Sequence, residues 1–241
     1  MFYKGVIMKI DTEKIKNKKF TGPIEAKLQK YSQEYRALAT LKYLFPNRFK
    51  KMVKEESPDL QDKENGIGIE VTAAVDWRDM RAAREFANLQ QGNGNIEKHK
   101  KAITSSGYFF LPIKKDKVAI CTSGTSKGEK FFFQESIRKK INNIQQYKAG
   151  FQKIGLAVIW IDTPTSDVRD YLGEWLAEVL DKTDTVFDFV YVLAPRFCAY
   201  YDVQEKSSEL RTIKKEENEW LATIARMTAE GELSLSDEEW Q

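Results

Sequence analysis

Residues 55–72 read EESPDLQDKENGIGIEVT, and the fold is decided here. Pro58 is followed by an acidic residue, Asp59, and then by a short polar turn ending in Gly66. An apolar stretch, Gly66 to Thr72, carries a single carboxylate, Glu70. The pattern predicts a hairpin of two strands, the first starting at Asp59 and the second holding Glu70. Side chains alternate along a strand, so Ile67, Ile69 and Val71 share one face and Gly68, Glu70 and Thr72 the other. Glu70 therefore lies on a face of small residues, where another element or a ligand can approach closely. Two readings stay open from these residues alone. In one, Asp59 opens a turn and Glu70 sits on the wet side of an edge strand. In the other, the two carboxylates meet at adjacent strand ends and offer oxygen ligands to a hard divalent cation such as Mg²⁺.

Pro58-Asp59, the acidic Glu70 eleven residues later and the strand around it resemble the PD-(D/E)xK, or restriction-endonuclease-like, nuclease superfamily. Asp59 matches the first acidic position and Glu70 the second. The strand lysine of that motif, two residues after the second acid, is replaced here by Thr72. The resemblance covers about residues 24–195 and implies an α/β (α+β) fold with a mixed central sheet flanked by helices. It also implies Mg²⁺ or Mn²⁺ as cofactor and phosphodiester hydrolysis as the reaction. Asp59 and Glu70 would be catalytic and metal-binding, and a glutamate of the first core helix often joins them.

That helix is expected over residues 24–45, where Tyr31, Tyr35, Leu38, Leu41 and Phe45 recur at helical spacing and Pro46 ends the run. At about 100° per residue Glu34 falls inside the apolar stripe. It is either a satisfied packing residue or a third acidic group of the site, hence a candidate metal ligand. A second helix is expected from Gln134 to Tyr147, with Ile137, Ile141 and Ile144 as its stripe. Lys140 lies within that stripe and Lys139 roughly opposite. A lysine on a core-facing edge snorkels or meets a negative partner. In the resembled superfamily the missing strand lysine is sometimes supplied from this helix, so Lys140 is the candidate catalytic lysine. Gln134 is a weaker site-facing candidate.

The rest of the chain reads as follows. Helices are expected at 76–91 and 96–104 around a Gly-Asn turn, together an insertion serving substrate contact or dimerisation. A third core strand is expected at 117–122, a loop at 123–128, a buried strand at 156–162, a helix at 167–180 and a strand at 188–194. A final amphipathic helix at 205–229 and an acidic tail follow. The whole is read as one nuclease-like domain, 1–241, with the insertion at about 76–104 and a C-terminal extension at about 205–241.

Composition narrows the classes. The chain of 241 residues has 41% hydrophobic and 31% charged residues, as soluble proteins do, and no apolar run approaches the roughly 20 residues of a membrane span. The N-terminal stretch shows no signal-peptide block, so a cytoplasmic location is expected. Two cysteines, Cys121 and Cys198, suggest neither a disulfide framework nor a zinc site. The single histidine, His99, sits among lysines, which removes most Ser/His and Cys/His hydrolases. Gly124 to Lys130 lacks the glycine spacing of a phosphate loop, and Phe131-Phe132-Phe133 reads as a core edge ahead of a helix rather than a stacking platform.

The net charge of +3 conceals segregation. Residues 1–54 hold 14 Lys/Arg against 4 Asp/Glu, and residues 95–160 hold 13 against 4. Basic segments on either side of an acidic cluster suit a polyanion, double-stranded DNA above all. Candidate phosphate contacts are Lys50, Lys51 and Lys54, and Lys98, Lys100 and Lys101. The function expected is a DNA endonuclease of restriction or mobile-element type, with a homodimer among the expected assemblies. The alternative keeps the fold without catalysis, as an inactive protein binding nucleic acid or a protein partner, and Thr72 favours it.

Overall fold

The computed structural model describes residues 12–114, 117–122, 128–148, 150–160, 166–182 and 186–235. The chain forms two compact units. One comprises residues 1–18, 30–74 and 129–241, the other residues 19–29 and 75–128.

The larger unit is a mixed α/β structure around a seven-stranded sheet. Its strands are β1 (Val53–Lys54), β2 (Leu60–Asp62), β3 (Ile67–Ala73), β6 (Lys153–Ile159), β7 (Phe189–Ala194), β8 (Phe197–Asp202) and β9 (Ser207–Thr212), in that spatial order. β1, β2 and β3 are antiparallel, β3, β6 and β7 parallel, and β7, β8 and β9 antiparallel. The expected hairpin is present, with Leu60 opposite Ile69 and Gln61 opposite Gly68. Its turn is fixed by Asp62, whose carboxylate accepts from the Asn65 backbone N–H at 3.0 Å and the Asn65 amide at 2.7 Å. Gly66 then takes φ +62°, which a side chain would resist.

The helices of this unit are α1 (Thr12–Lys16), α2 (Gln29–Leu44, in this unit from Lys30), α3 (Pro46–Phe49), α6 (Glu129–Ile141), α7 (Ile144–Lys148), α8 (Ser166–Leu180) and α9 (Lys215–Ala229). After the exposed Lys153 that opens β6, strands β6 and β7 are apolar because both faces are covered. On one face Ile154, Leu156, Val158, Val190 and Val192 pack with Phe133, Ile137 and Ile141 of α6 and with Leu172, Leu176 and Val179 of α8. Each such side chain, fully buried, contributes about 1.5–3 kcal/mol. On the other face Phe45 and Phe49 meet the Tyr191 ring edge-on at 5.2 and 5.6 Å. There α9 is tied to α2 by Arg36, which donates to the Asn218 carbonyl at 2.7 Å, and by the Tyr43–Trp220 ring pair at 5.8 Å.

The smaller unit holds α4 (Trp77–Gln91), α5 (Ile96–Ser105) and a two-stranded sheet, β4 (Tyr108–Lys114) with β5 (Lys117–Thr122), plus a 3₁₀ turn at Ala26–Leu28. The helix bounds follow their caps. The Asp76 carboxylate accepts from Arg78 N–H and the Asn95 amide oxygen from Lys98 N–H, each at 3.0 Å, and Gly92 closes α4 at φ 69°.

Several expectations are corrected. Residues 117–122 do not form a third strand of the central sheet; they pair with β4, a strand unforeseen, inside the inserted unit. That unit is larger than 76–104. Residues 207–212 are strand rather than the start of a helix, and β8 and β9 enlarge the sheet beyond residue 195. The helix expected from 134 to 147 begins at Glu129 and breaks at Asn142-Asn143 into α6 and α7, so Phe131-Phe132-Phe133 lies within α6, with Phe133 buried and Phe131 exposed. Tyr31 is exposed, outside the buried stripe of α2. The loop at 123–127, residues 161–162 of the expected strand and the tail from 236 lie outside the described residues. No helix among the described residues is long and apolar enough to cross a membrane.

Candidate functional site

The larger unit carries a cluster of buried charge at the β2–β3 hairpin. Asp59 is placed by the turn before β2. The Gln61 amide bridges the Glu56 and Pro58 carbonyls at 3.1 and 3.0 Å, and Glu55 N–H donates to the Asp59 carbonyl at 2.9 Å. Asp59 Oδ2 accepts from the Val71 backbone N–H at 2.8 Å, which aims the carboxylate across the hairpin. Glu70 precedes Val71 on β3, close enough that the Asp59 charge acts on its carboxyl group. Asp59 and Glu70 therefore converge, and both are buried.

Lys140 of α6 reaches the same place. Its ammonium donates to Glu70 Oε1 at 2.5 Å and stands 6.0 Å from the Tyr147 ring centroid, while Lys139 is exposed. The small side of β3 explains how the chain closes here. A Cβ on Gly68 would fall 2.6 Å from Pro58 Cγ and 2.8 Å from Ile154 Cδ1, so only glycine lets the Pro58 turn and its Asp59 lie against the strand. Thr72, on the same face as Glu70, pairs with Val158 of β6.

Glu34 is buried on α2, with side-chain exposure of 2%. Lys30 approaches one of its oxygens at 3.1 Å and Lys54 the other at 3.0 Å, both off the directions of a good hydrogen bond. Lys30 also stands 3.7 Å from Asp59 Oδ1 and is 66% exposed. Lys54, 12% exposed, lies 4.7 Å over the Tyr31 ring. Three carboxylates thus face three lysines.

The electrostatics record competition. Burial raises the Glu70 pKa above the usual carboxylate range, the Lys140 hydrogen bond opposes it, and the nearby Asp59 charge adds to the rise. Glu34 is raised by burial too, against the pull of Lys54. Burial works against the charged form of Lys30 and Lys54, but Glu34 outweighs it and raises both. The Tyr147 phenol is raised by burial and by the Glu70 charge.

The other candidates fall elsewhere. Gln134 turns to α8, donating to the Trp175 carbonyl at 3.1 Å and Glu178 at 2.9 Å, so it does not face the cluster. Lys50 is exposed, Lys51 pairs with Glu64, and Lys54 turns inward to Glu34 rather than lying on the surface. Lys98, Lys100 and Lys101 are exposed on α5 of the inserted unit. Lys30 and Tyr147 were missed in the sequence. Lys30 had a signal, its position four residues before Glu34 on one helix. Tyr147 had none, because it reaches the site only after the break at Asn142-Asn143.

Among the described residues no three His, Cys, Asp or Glu groups are close enough to cage an ion by themselves. The donor set is nonetheless the kind that Mg²⁺ accepts, since that ion commonly takes one or two carboxylates and keeps waters or phosphate oxygens for its other places. Glu70 Oε2 is buried without a hydrogen-bond partner, whereas each Glu34 oxygen, also off hydrogen-bond geometry, already has a lysine ammonium at 3.0–3.1 Å. A buried acceptor such as Glu70 Oε2 costs stability unless another cation or donor meets it. No family model matches this chain, and neither does any curated protein or solved structure.

Proposed function

We propose that this chain is a metal-dependent nuclease hydrolysing phosphodiester bonds in double-stranded DNA, a DNA endonuclease of restriction or mobile-element type built on a restriction-endonuclease-like core. One observation carries the reading: the Lys140 ammonium of α6 bonds Glu70, where it would make up for the lysine missing at Thr72. Asp59 and Glu70 would hold Mg²⁺ or Mn²⁺, with Glu34 beside them. A bound ion would lower the pKa of a coordinated water and polarise the phosphate.

The chain's own residues supply the rest. Val71 N–H and the Gln61-braced turn orient Asp59, so the pair is organised before substrate arrives. The Lys140 ammonium holds Glu70 and offers its remaining protons to a phosphate oxygen or to the attacking water, a stabilisation of developing charge. Lys30, mostly exposed, can leave its carboxylates without unpacking anything, whereas Lys54 cannot. Burial keeps the cluster partly dry, which strengthens each of these interactions.

A second reading is favoured by the threefold matching of lysines to carboxylates, a self-neutralised cluster that needs no ion. It makes the chain an inactive nuclease-fold protein that binds DNA. Plasmid nicking separates the two. The nuclease reading expects nicking with Mg²⁺ or Mn²⁺ that disappears with chelator and in Asp59→Ala and Glu70→Ala. DNA binding without nicking in any divalent ion selects the inactive protein.

A further inference from the structure

We propose that the outer face of the β4–β5 ribbon, carrying Phe109, Leu111 and Ile113, docks against the bases of duplex DNA, while Lys98, Lys100 and Lys101 of α5 hold the flanking phosphates. The proposal rests on the nucleic-acid reading above and concerns the inserted unit alone.

The ribbon has one packed face and one open face. Tyr108 donates its hydroxyl to Asp79 of α4 at 2.8 Å, and α5 packs on β4, which defines the inner side. Alternate residues of β4 face the other way, where Phe109 is 50% exposed and Leu111 47%; Ile113, at the irregularity after Pro112, is 59% exposed. An isolated two-stranded ribbon is marginal in water, and a free face normally carries polar residues. A row of large apolar side chains there marks a surface meant to be covered.

Charge indicates what covers it. The inserted unit has 12 Lys/Arg against 6 Asp/Glu, a net +6, while the other unit has 27 against 30, a net −3. A second copy docking on the same face would bring two +6 units together, which is unfavourable. A polyanion gains from that charge and from exposed lysines on the helix beside the ribbon. The dimensions agree as well. The major groove admits a two-stranded ribbon, and apolar side chains on its floor contact thymine methyls.

The test measures binding of the full chain to a labelled duplex by anisotropy across a salt series, with folding checked by circular dichroism. Phe109→Ser/Leu111→Ser/Ile113→Ser should weaken binding by about tenfold or more, leaving the salt slope unchanged. Lys98→Gln/Lys100→Gln/Lys101→Gln should flatten the slope by about 0.9 per lysine. Phe109→Trp should keep the affinity. If the triple serine variant fails to fold, Leu111→Ser alone decides by the same criterion. Ribbon variants that bind as wild type, or a wild-type dimer that they convert to monomer, would overturn the proposal. A wild type that nicks DNA while the ribbon variants keep full affinity removes this surface only. A wild type that neither binds nor nicks DNA removes the nuclease reading with it.

Discussion

The two units of this protein treat charge in opposite ways. In the seven-stranded unit, Glu34, Asp59 and Glu70 are buried and three lysines are drawn in to meet them. In the inserted unit, lysines of α5 stay on the surface, and apolar side chains of the ribbon are left uncovered. Buried charge is costly, so a cluster held in place by so much of the fold points to chemistry. Displayed charge costs little, displayed large apolar side chains do not, and the two side by side point to a partner. On the function proposed above, the difference separates a site that acts from a surface that holds.

The largest expected effect lies on the acting side. Asp59→Asn and Glu70→Gln should each lower metal-dependent nicking by a factor of about 10³ or more, since each removes a candidate ligand. Their melting temperatures without divalent ions should equal or exceed that of wild type, because each change removes repulsion between neighbouring carboxylates. Loss of folding in both variants would make the cluster structural and erase the contrast between the units.

Lys140→Ala should cost about 10²–10³ in nicking rate, the scale of one donor stabilising developing charge, and Lys140→Arg should restore part of it. DNA binding by the intact inserted unit should be unchanged. Nicking that survives Lys140→Ala would end the idea that this lysine replaces the one missing at Thr72.

Much of the acting side was legible in sequence. Alternation along 67–72 put Glu70 on the small-residue face, and the helical wheels put Glu34 and Lys140 inside apolar stripes, where each residue now sits near a partner. The misses have physical causes. Ser207–Thr212 is an edge strand exposed along its length, so it has no apolar alternation to read. The break at Asn142-Asn143 rests on turn-forming residues that an isoleucine stripe running through them disguised. Of the β4–β5 pair only the second strand is read from sequence, because the first, YFFLPIK, has Pro112 within it and shows apolar residues to solvent.

A smaller effect tests how the hairpin holds Asp59. Gly68→Ala should destabilise the protein by about 1–3 kcal/mol in denaturant melts, since the new methyl meets Pro58 and Ile154. It should also reduce nicking by displacing the turn. Unchanged stability would mean that Pro58 is free to move.

The smallest is a slope. Glu34 and Glu70 have folded pKa values above their unfolded ones, so the folded state binds more protons. Their contribution to stability is greatest at low pH and is lost as pH rises from about 4.5 through the raised values. Melts at a series of pH values without divalent ions should show less of this decline in Glu70→Gln. An identical pH profile would mean that Glu70 does not titrate in that window.

The central claim is that the buried carboxylates hold a divalent cation. It is tested most directly by titrating the full chain with Mn²⁺ and following free ion by electron paramagnetic resonance. One saturable site per chain is predicted, abolished in Glu70→Gln and in Asp59→Asn while both variants melt as folded proteins. Equal Mn²⁺ binding by wild type and both variants, or none by wild type, would contradict it.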